Sequence, residues 1–283
     1  MDNPCNPCNP NPVVVIGAFD NVRSQQLRFL QEAGRLGSVQ VMLWSDSALL
    51  AANGQAPKFP EAERKYFLEN IRYVSGVCLI NGPVESDRLP EPDLLCAGIT
   101  WAVEQEQDNP VKQAFCELTG IQYHVFSPAD LAGFPLDGLD APAGKTVQKR
   151  SVVTGCYDWL HSGHVRFFEE ASEFGELFVV VGHDENLRLL KGEGHPLFPE
   201  DERRYMVQSV RFVKQALISS GKGWMDAEPE IESILPDYYV VNEDGDKPEK
   251  REFCAGRGIE YKVLKRLPKP GLPRRESTSL RGF

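Results

Sequence analysis

The feature that most constrains this chain is that it repeats itself. VVVIGAFDNVRSQQLRFLQEAGRLG (13–37) aligns with SVVTGCYDWLHSGHVRFFEEASEFG (151–175) at a constant offset of 138, placing Gly17 on Gly155, Asp20 on Asp158 and Gly37 on Gly175. One inserted residue later, FPEAERKYF (59–67) meets FPEDERRYM (198–206). The first offset then returns, setting Asp108 and Lys112 on Asp246 and Lys250, and Phe115-Cys116 on Phe253-Cys254. A period of this size is a domain; solenoid units run to roughly 20–45 residues. The repeat divides the chain into a flexible arm (1–12), a first unit (13–131), a linker (132–149) and a second unit (150–283). The arm repeats Asn-Pro-Cys, and its Cys5 and Cys8 have zinc-ligand spacing with no second pair to match.

Each unit alternates apolar runs with helical periodicity. In the second, strands are expected at 150–155, 177–182, 214–218, 237–241 and 260–264, and helices at 164–174, 200–211, 228–234 and 248–256. LFVVVG (177–182) is continuously apolar, as a parallel strand covered on both faces must be. The expected fold is α/β: two tandem doubly wound parallel sheets of Rossmann-like type, with ligands beyond the carboxyl ends of the strands.

One stretch of the second unit carries chemistry. Val152, Val153 and Thr154 lead to Gly155, and His161-Ser162-Gly163-His164 opens a segment with apolar residues at helical spacing, Val165, Phe167, Phe168 and Ala171. Two histidines around a glycine therefore sit where a strand hands over to a helix. Unpaired N–H groups and the positive end of the helix dipole suit that place to phosphate. Glycine admits close backbone approach, and two imidazoles can donate to a phosphoryl group as it gains charge. In the first unit the same positions read Arg23-Ser24-Gln25-Gln26. Both imidazoles and the glycine are gone, so the first unit is expected to keep the fold without the catalysis. Arg23 could bind an anion there, but a structural or dimer-forming role fits better.

GCYDWLHSGH resembles the G-x-[FY]-D-x-x-H-x-G-H signature of the HxGH nucleotidyltransferases, the cytidylyltransferase-like superfamily. The resemblance implies transfer of a nucleoside monophosphate from a triphosphate to a phosphomonoester, releasing pyrophosphate, with His161 and His164 stabilising the charge. It places Thr154, Gly155, Tyr157, Asp158 and Gly163 against the nucleotide. LKGEGHP (190–196) resembles the family's KG-x-x-x-P loop, which makes Lys191 the holder of acceptor or leaving phosphate; the first unit has Ala52 or Asn53 there. Glu202-Arg203 matches the family's E-R pair, and because the first unit keeps it as Glu63-Arg64 it reads as structural. Asn242 and Asp244 fall in the stretch that contacts ribose or base. Ser277, Thr278 and Arg281 match the ISSTxxR signature, with Arg275 and Glu276 replacing its isoleucine and first serine; they would hold the leaving pyrophosphate. Mg²⁺ is expected to arrive with the triphosphate, with no separate protein metal site.

The base stays open between CTP and ATP. The tandem layout and RRYMVQSVRFV (203–213) resemble the ethanolamine-phosphate cytidylyltransferases, although here the intact unit is the second. LKGEGHP and LPDYYVV (235–241) resemble ADP-heptose synthase. The balance favours CTP, and the phosphorylated small-molecule acceptor is not legible. A catalytically silent nucleotide-binding or scaffold protein is the alternative of a different class, with a homodimer among the possible assemblies.

A net charge of −10 argues against non-specific nucleic-acid binding, although 262–283 holds seven basic residues against one acid. No apolar run approaches the ~18 residues of a membrane helix, and the amino terminus does not look like a signal peptide. A cytoplasmic enzyme with seven reduced cysteines is the expectation.

Overall fold

In this computed structural model residues 11–84, 87–90, 98–135 and 147–280 are described, and the chain divides into two compact units, Met1–Gly133 and Phe134–Phe283. The first unit runs β1 (Pro12–Gly17), α1 (Ser24–Leu36), β2 (Ser38–Trp44), α2 (Asp46–Asn53), α3 (Glu61–Glu69), β3 (Val74–Ile80), β4 (Thr100–Glu104), α4 (Pro110–Thr119) and β5 (Gln122–Phe126). Its strands form one parallel sheet in the order β3-β2-β1-β4-β5.

The second unit repeats that path with β6 (Arg150–Gly155), α5 (Ser162–Ser172), β7 (Glu176–Val181), α6 (Asp184–Lys191), α7 (Glu200–Gln208), β8 (Val213–Ile218), α8 (Glu228–Ile234), β9 (Tyr238–Asn242), α9 (Pro248–Arg257) and β10 (Glu260–Leu264). Its parallel sheet is ordered β8-β7-β6-β9-β10. In both units the chain reverses direction across the sheet between the first strand and the fourth. That switch point opens a crevice at the carboxyl ends of the strands.

Continuous apolar strands make the interiors. Val152, Phe178, Val180, Tyr239 and Val241 meet Ile231, Ile234 and Cys254 from the helices on one face of the second sheet. Val14, Met42, Trp101, Val103 and Cys116 do the same in the first. Two differences from the sequence reading stand out. Residues 184–191 form a helix that the expected elements do not include, and its last residue is Lys191 of the expected loop. The helix expected at 164–174 begins at Ser162, two residues early.

One buried arginine per unit ties the crevice loop to the sheet. Arg203, 1% exposed, donates from Nε to the Phe198 carbonyl (2.9 Å) and from Nη1 to the Cys156 carbonyl (2.7 Å). Its Nη2 reaches the Gly182 carbonyl (2.8 Å) and Asp184 Oδ1 (2.6 Å). Arg64 makes the matching bonds to Phe59, Ala18 and Asp46 at 2.9, 2.5 and 2.7 Å. The E-R pair is therefore a fold device in which the arginine does the work. Cys116, Cys156 and Cys254 are free, as expected, whereas Cys78 is disulfide-bonded. Among the described residues no helix is long and apolar enough to cross a membrane.

Candidate active site

Strand β6 ends at Gly155 because the chain folds straight back on itself. A Cβ at Gly155 would lie 2.8 Å from Cζ of Tyr157, whose own backbone is left-handed (φ 51°). The first unit has the same turn, with Phe19 at φ 46° and its ring 3.0 Å from a Cβ on Gly17. The glycine thus serves the turn first. Asp158 Oδ1 accepts from the N–H groups of Leu197 (2.6 Å) and Phe198 (3.2 Å), and Asp20 accepts from Lys58 and Phe59 in the same way. Asp158 was expected to contact nucleotide. It lines the cavity, and its Oδ1 also holds the loop before α7; because Asp20 holds the matching loop without the histidines, that contact belongs to the fold.

His161 is the N-cap of α5. Its Nδ1 accepts from the Gly163 N–H (3.1 Å), so the neutral ring carries its proton on Nε2. Gly163 is what lets this happen, since a Cβ there would come within 2.9 Å of His161 Cε1. The helix-start N–H expected to be open for phosphate is therefore taken by the histidine itself. The His164 ring stacks on His161 at 4.0 Å between centroids and 27° between planes, and Tyr157 meets it edge-on at 5.3 Å. Among the described residues, Nε2 of His161 and Nδ1 of His164 are buried with no hydrogen-bond partner. Burial, then the neighbouring His164 and the guanidinium groups of Arg266 and Arg275, hold His161 well below the usual imidazole range. Burial and Arg266 bring His164 down to about 3. Both rings are neutral donors at physiological pH.

These rings line a cavity of about 270 Å³ at the β6/β9 switch point. Thr154, Gly155, Tyr157, Asp158, Gly163, Lys191, Asn242, Asp244 and Ser277 line it with them. Lys191 is the last residue of α6, and its structural counterpart at the end of α2 is Asn53. Thr154 Oγ1 is 2.8 Å from the Tyr239 hydroxyl, a bond the first unit replaces with Ile16 and Trp101. Asp244 pairs with Arg266 at 2.5 Å. Ser277 Oγ donates to the Trp159 carbonyl (3.3 Å) from a short 3₁₀ turn, not from the expected helix start. The Thr278 side chain and Arg281 lie outside the described residues.

Sequence reasoning passed over Arg266 and Lys250, which also line the cavity. Arg266 was visible only as one charge in a basic tail, since its place follows from β10 running parallel to β9. Lys250 could have been noticed because the first unit keeps it. Both lysines lie over an aromatic ring, Lys250 over Tyr239 (5.8 Å) and Lys112 over Trp101 (5.9 Å), and each donates to a carbonyl of the preceding turn. That shared packing gives Lys250 a structural duty beside its place in the wall.

The arrangement can bind an anionic chain and stabilise charge that grows upon it. Lys191, Lys250 and Arg266 supply positive charge, and the paired imidazoles supply donors preorganised in a water-poor corner. Among the described residues no group of three or more His, Cys, Asp or Glu could hold a metal ion. Mg²⁺ carried by a triphosphate needs only one or two carboxylates from the protein, and Asp244 in the cavity wall is suited to that.

Comparisons with known proteins agree in kind. The model of the cytidylyltransferase-like family matches residues 152–259. The FAD synthase of Aciduliprofundum boonei is 40% identical over 125 residues, 43% of this chain and 80% of that protein. The FAD synthase of Methanopyrus kandleri is 38% identical over 121 residues, 41% of this chain and 77% of that protein. Among solved structures, a lipopolysaccharide core biosynthesis protein from Thermoplasma volcanium is similar at 23% identity and a TM-score of 0.36, covering 46% of this chain and 99% of that one.

Proposed function

As a member of the cytidylyltransferase-like HxGH nucleotidyltransferases, this chain is an enzyme that acts with a nucleoside triphosphate, and we propose that its second unit adenylylates flavin mononucleotide with ATP. A phosphate oxygen of flavin mononucleotide attacks the α-phosphorus of ATP. A new O–P bond forms, the bond to the bridging oxygen breaks, and the products are FAD and pyrophosphate. The leaning toward CTP gives way here to ATP because relatives of which this chain spans 80% and 77% are FAD synthases.

The observation that carries this reading is the pair of neutral, stacked imidazoles, with unpartnered ring nitrogens, in a cationic cavity at the switch point. Such a transfer needs little covalent help, so positioning and charge stabilisation dominate. His161 donates from Nε2 to the α-phosphoryl oxygens, while its Nδ1 stays tied to Gly163. His164 is held in place by the two aromatic rings around it. Lys191 holds the acceptor phosphate or the leaving group, Arg266 and Ser277 meet the pyrophosphate, and Asn242 and Thr154 border the ribose and base. Thr278 and Arg281 extend the pyrophosphate subsite in this reading. Mg²⁺ screens the triphosphate charge.

The test is pyrophosphate release by the full chain with ATP or CTP, over a panel of flavin mononucleotide and smaller phosphomonoesters. FAD formation with ATP and flavin mononucleotide is expected. Turnover with CTP and a small phosphomonoester, and none with flavin, would overturn the assignment of substrates while leaving the enzyme class intact.

A further inference from the structure

Resting on the flavin reading above, we propose that Trp224 is the platform on which the ring system of the flavin acceptor stacks, on the β7/β8 side of the nucleotide cavity. Of the four tryptophans, Trp44, Trp101 and Trp159 are 4%, 1% and 6% exposed; Trp224 is 53% exposed. It sits in the 3₁₀ turn Gly223–Met225, beyond the carboxyl end of β8, at the end of the sheet where the histidines lie.

The turn that presents this indole is firmly built. Asn186, 2% exposed on α6, donates to the Gly223 carbonyl (3.0 Å) and accepts from the Gly223 N–H (2.8 Å). Ser219 Oγ donates to Asp226 Oδ2 (2.6 Å), and the Gly221 N–H donates to the Asp226 carbonyl (2.8 Å). Met225 and Ala227 are buried in the apolar cluster beneath, so the neighbours anchor the loop while Trp224 is turned outward. An indole left in water by a loop this constrained is ready for a flat apolar partner, with little ordering left to do on binding.

Helix α6 connects the platform to the chemistry. Asn186 holds the Trp224 turn, and Lys191, at the same helix's end, lines the cavity. Those two positions are about 7.5 Å apart along the axis. Leu190, 53% exposed, lies one turn beyond Asn186 on the same face and adds apolar surface between them. Flavin mononucleotide has matching parts, a planar ring system and a phosphate joined by a five-carbon chain. Its phosphate would sit at Lys191 and its ring on Trp224, while ATP occupies the β6/β9 crevice. In-line transfer requires the attacking and leaving oxygens to lie on opposite sides of the α-phosphorus, so the acceptor must enter from the side away from the pyrophosphate.

The experiment compares wild type with Trp224→Ala and Trp224→Phe, measuring Kd and KM for flavin mononucleotide and for ATP, with thermal unfolding on the same preparations. Trp224→Ala should weaken flavin binding on the order of tenfold or more, by analogy with loss of a base-stacking ring. Its ATP affinity and melting temperature should stay put, and Trp224→Phe should restore most of the binding. Flavin affinity within twofold of wild type in the alanine variant, with FAD still formed, would overturn the platform and leave the flavin reading standing. A wild-type chain that binds no flavin mononucleotide and turns over another phosphomonoester would overturn both.

Discussion

The two units share a fold down to individual hydrogen bonds, and they part company at the mouth of the crevice. In the second unit Gly163 leaves the space between the start of α5 and the end of β9 open, and His161 and His164 stand at its edge. In the first, Gln25 takes the place of Gly163, and its Nε2 donates to Glu104 Oε1 (3.2 Å), where the second unit has Asn242. That bond spans the switch point. It sets a carboxyl, raised above its usual range chiefly by burial, beside the place where a triphosphate would bring its own negative charge. Arg23 meanwhile caps α1 through its backbone N–H, which donates to Gln26 Oε1 (2.9 Å). Arg64 and Asp20 keep their bonds although both histidines are absent, so what holds this turn together does not depend on the imidazoles.

The largest effect that tests this separation falls on the latch. Replacing Arg203 with Leu leaves the Asp184 carboxylate and three carbonyls, that of Gly182 buried, short of their donor, and should destabilise the second unit by about 3–5 kcal/mol. Arg64→Leu should do the same to the first unit while sparing turnover per folded second unit. Denaturant unfolding followed by limited proteolysis identifies which unit opens. Equal stability in either variant would remove the latch from the account.

Next in size are the histidines. His164→Ala should lower kcat by roughly 10²–10³, about 3–4 kcal/mol of transition-state stabilisation, since a donor set beside a developing charge gains strength as the charge forms. His161→Ala should do likewise, with a further cost of about 1 kcal/mol in stability because the ring also caps α5. Single-turnover rates measured beside thermal melts separate the two contributions. Full activity in His164→Ala would end the proposed mechanism.

A smaller effect follows from the depressed histidine pKa values. The unfolded rings titrate near 6.5 and the folded ones lower, His164 at about 3, so below pH 6.5 the unfolded chain binds more protons. Stability of the second unit should therefore fall as the pH drops from 6.5 toward 4, and should show no histidine-linked change above 7. His164→Asn should flatten that acid limb. The rate should likewise lack a histidine titration between pH 6.5 and 8, a point that pH-rate profiles at saturating substrate can check.

The comparison also explains which parts of the molecule the sequence could disclose. Repetition made the fold legible, because Gly155, Asp158 and Arg203 recur at fixed offsets and each serves the same local bond in both units. His161 and His164 were legible for the opposite reason, as chemistry present in one copy and missing from the other. Arg266 was not, because it reaches the cavity only through the pairing of β10 with β9. Asp158 shows a second duty that the motif alone does not disclose, since its Oδ1 also holds the loop before α7. Lys191 was assigned to a loop, yet α6 is what carries it to the cavity.

The smallest expected effect is the sharpest test of the first unit's loss. Arg23→Ala, Gln25→Ala and Gln26→Ala should each leave kcat and KM within about twofold of wild type, because none of these side chains can replace the donor that His161 or His164 presents. Their stability costs should also be modest. The Gln25–Glu104 bond is exposed, and a hydrogen bond of that kind contributes roughly 0.5–1.5 kcal/mol at most. Gln25→Gly goes further by restoring the glycine of the working copy. It should break the bridge to Glu104 and still confer no nucleotide binding on the first unit, since Asn53 remains where Lys191 would be needed and both imidazoles are missing. ATP titrations of Gln25→Gly beside wild type count the binding events, and one per chain is expected in both. A second binding event there, or a large fall in kcat from Arg23→Ala with the fold intact, would mean that the first unit still takes part.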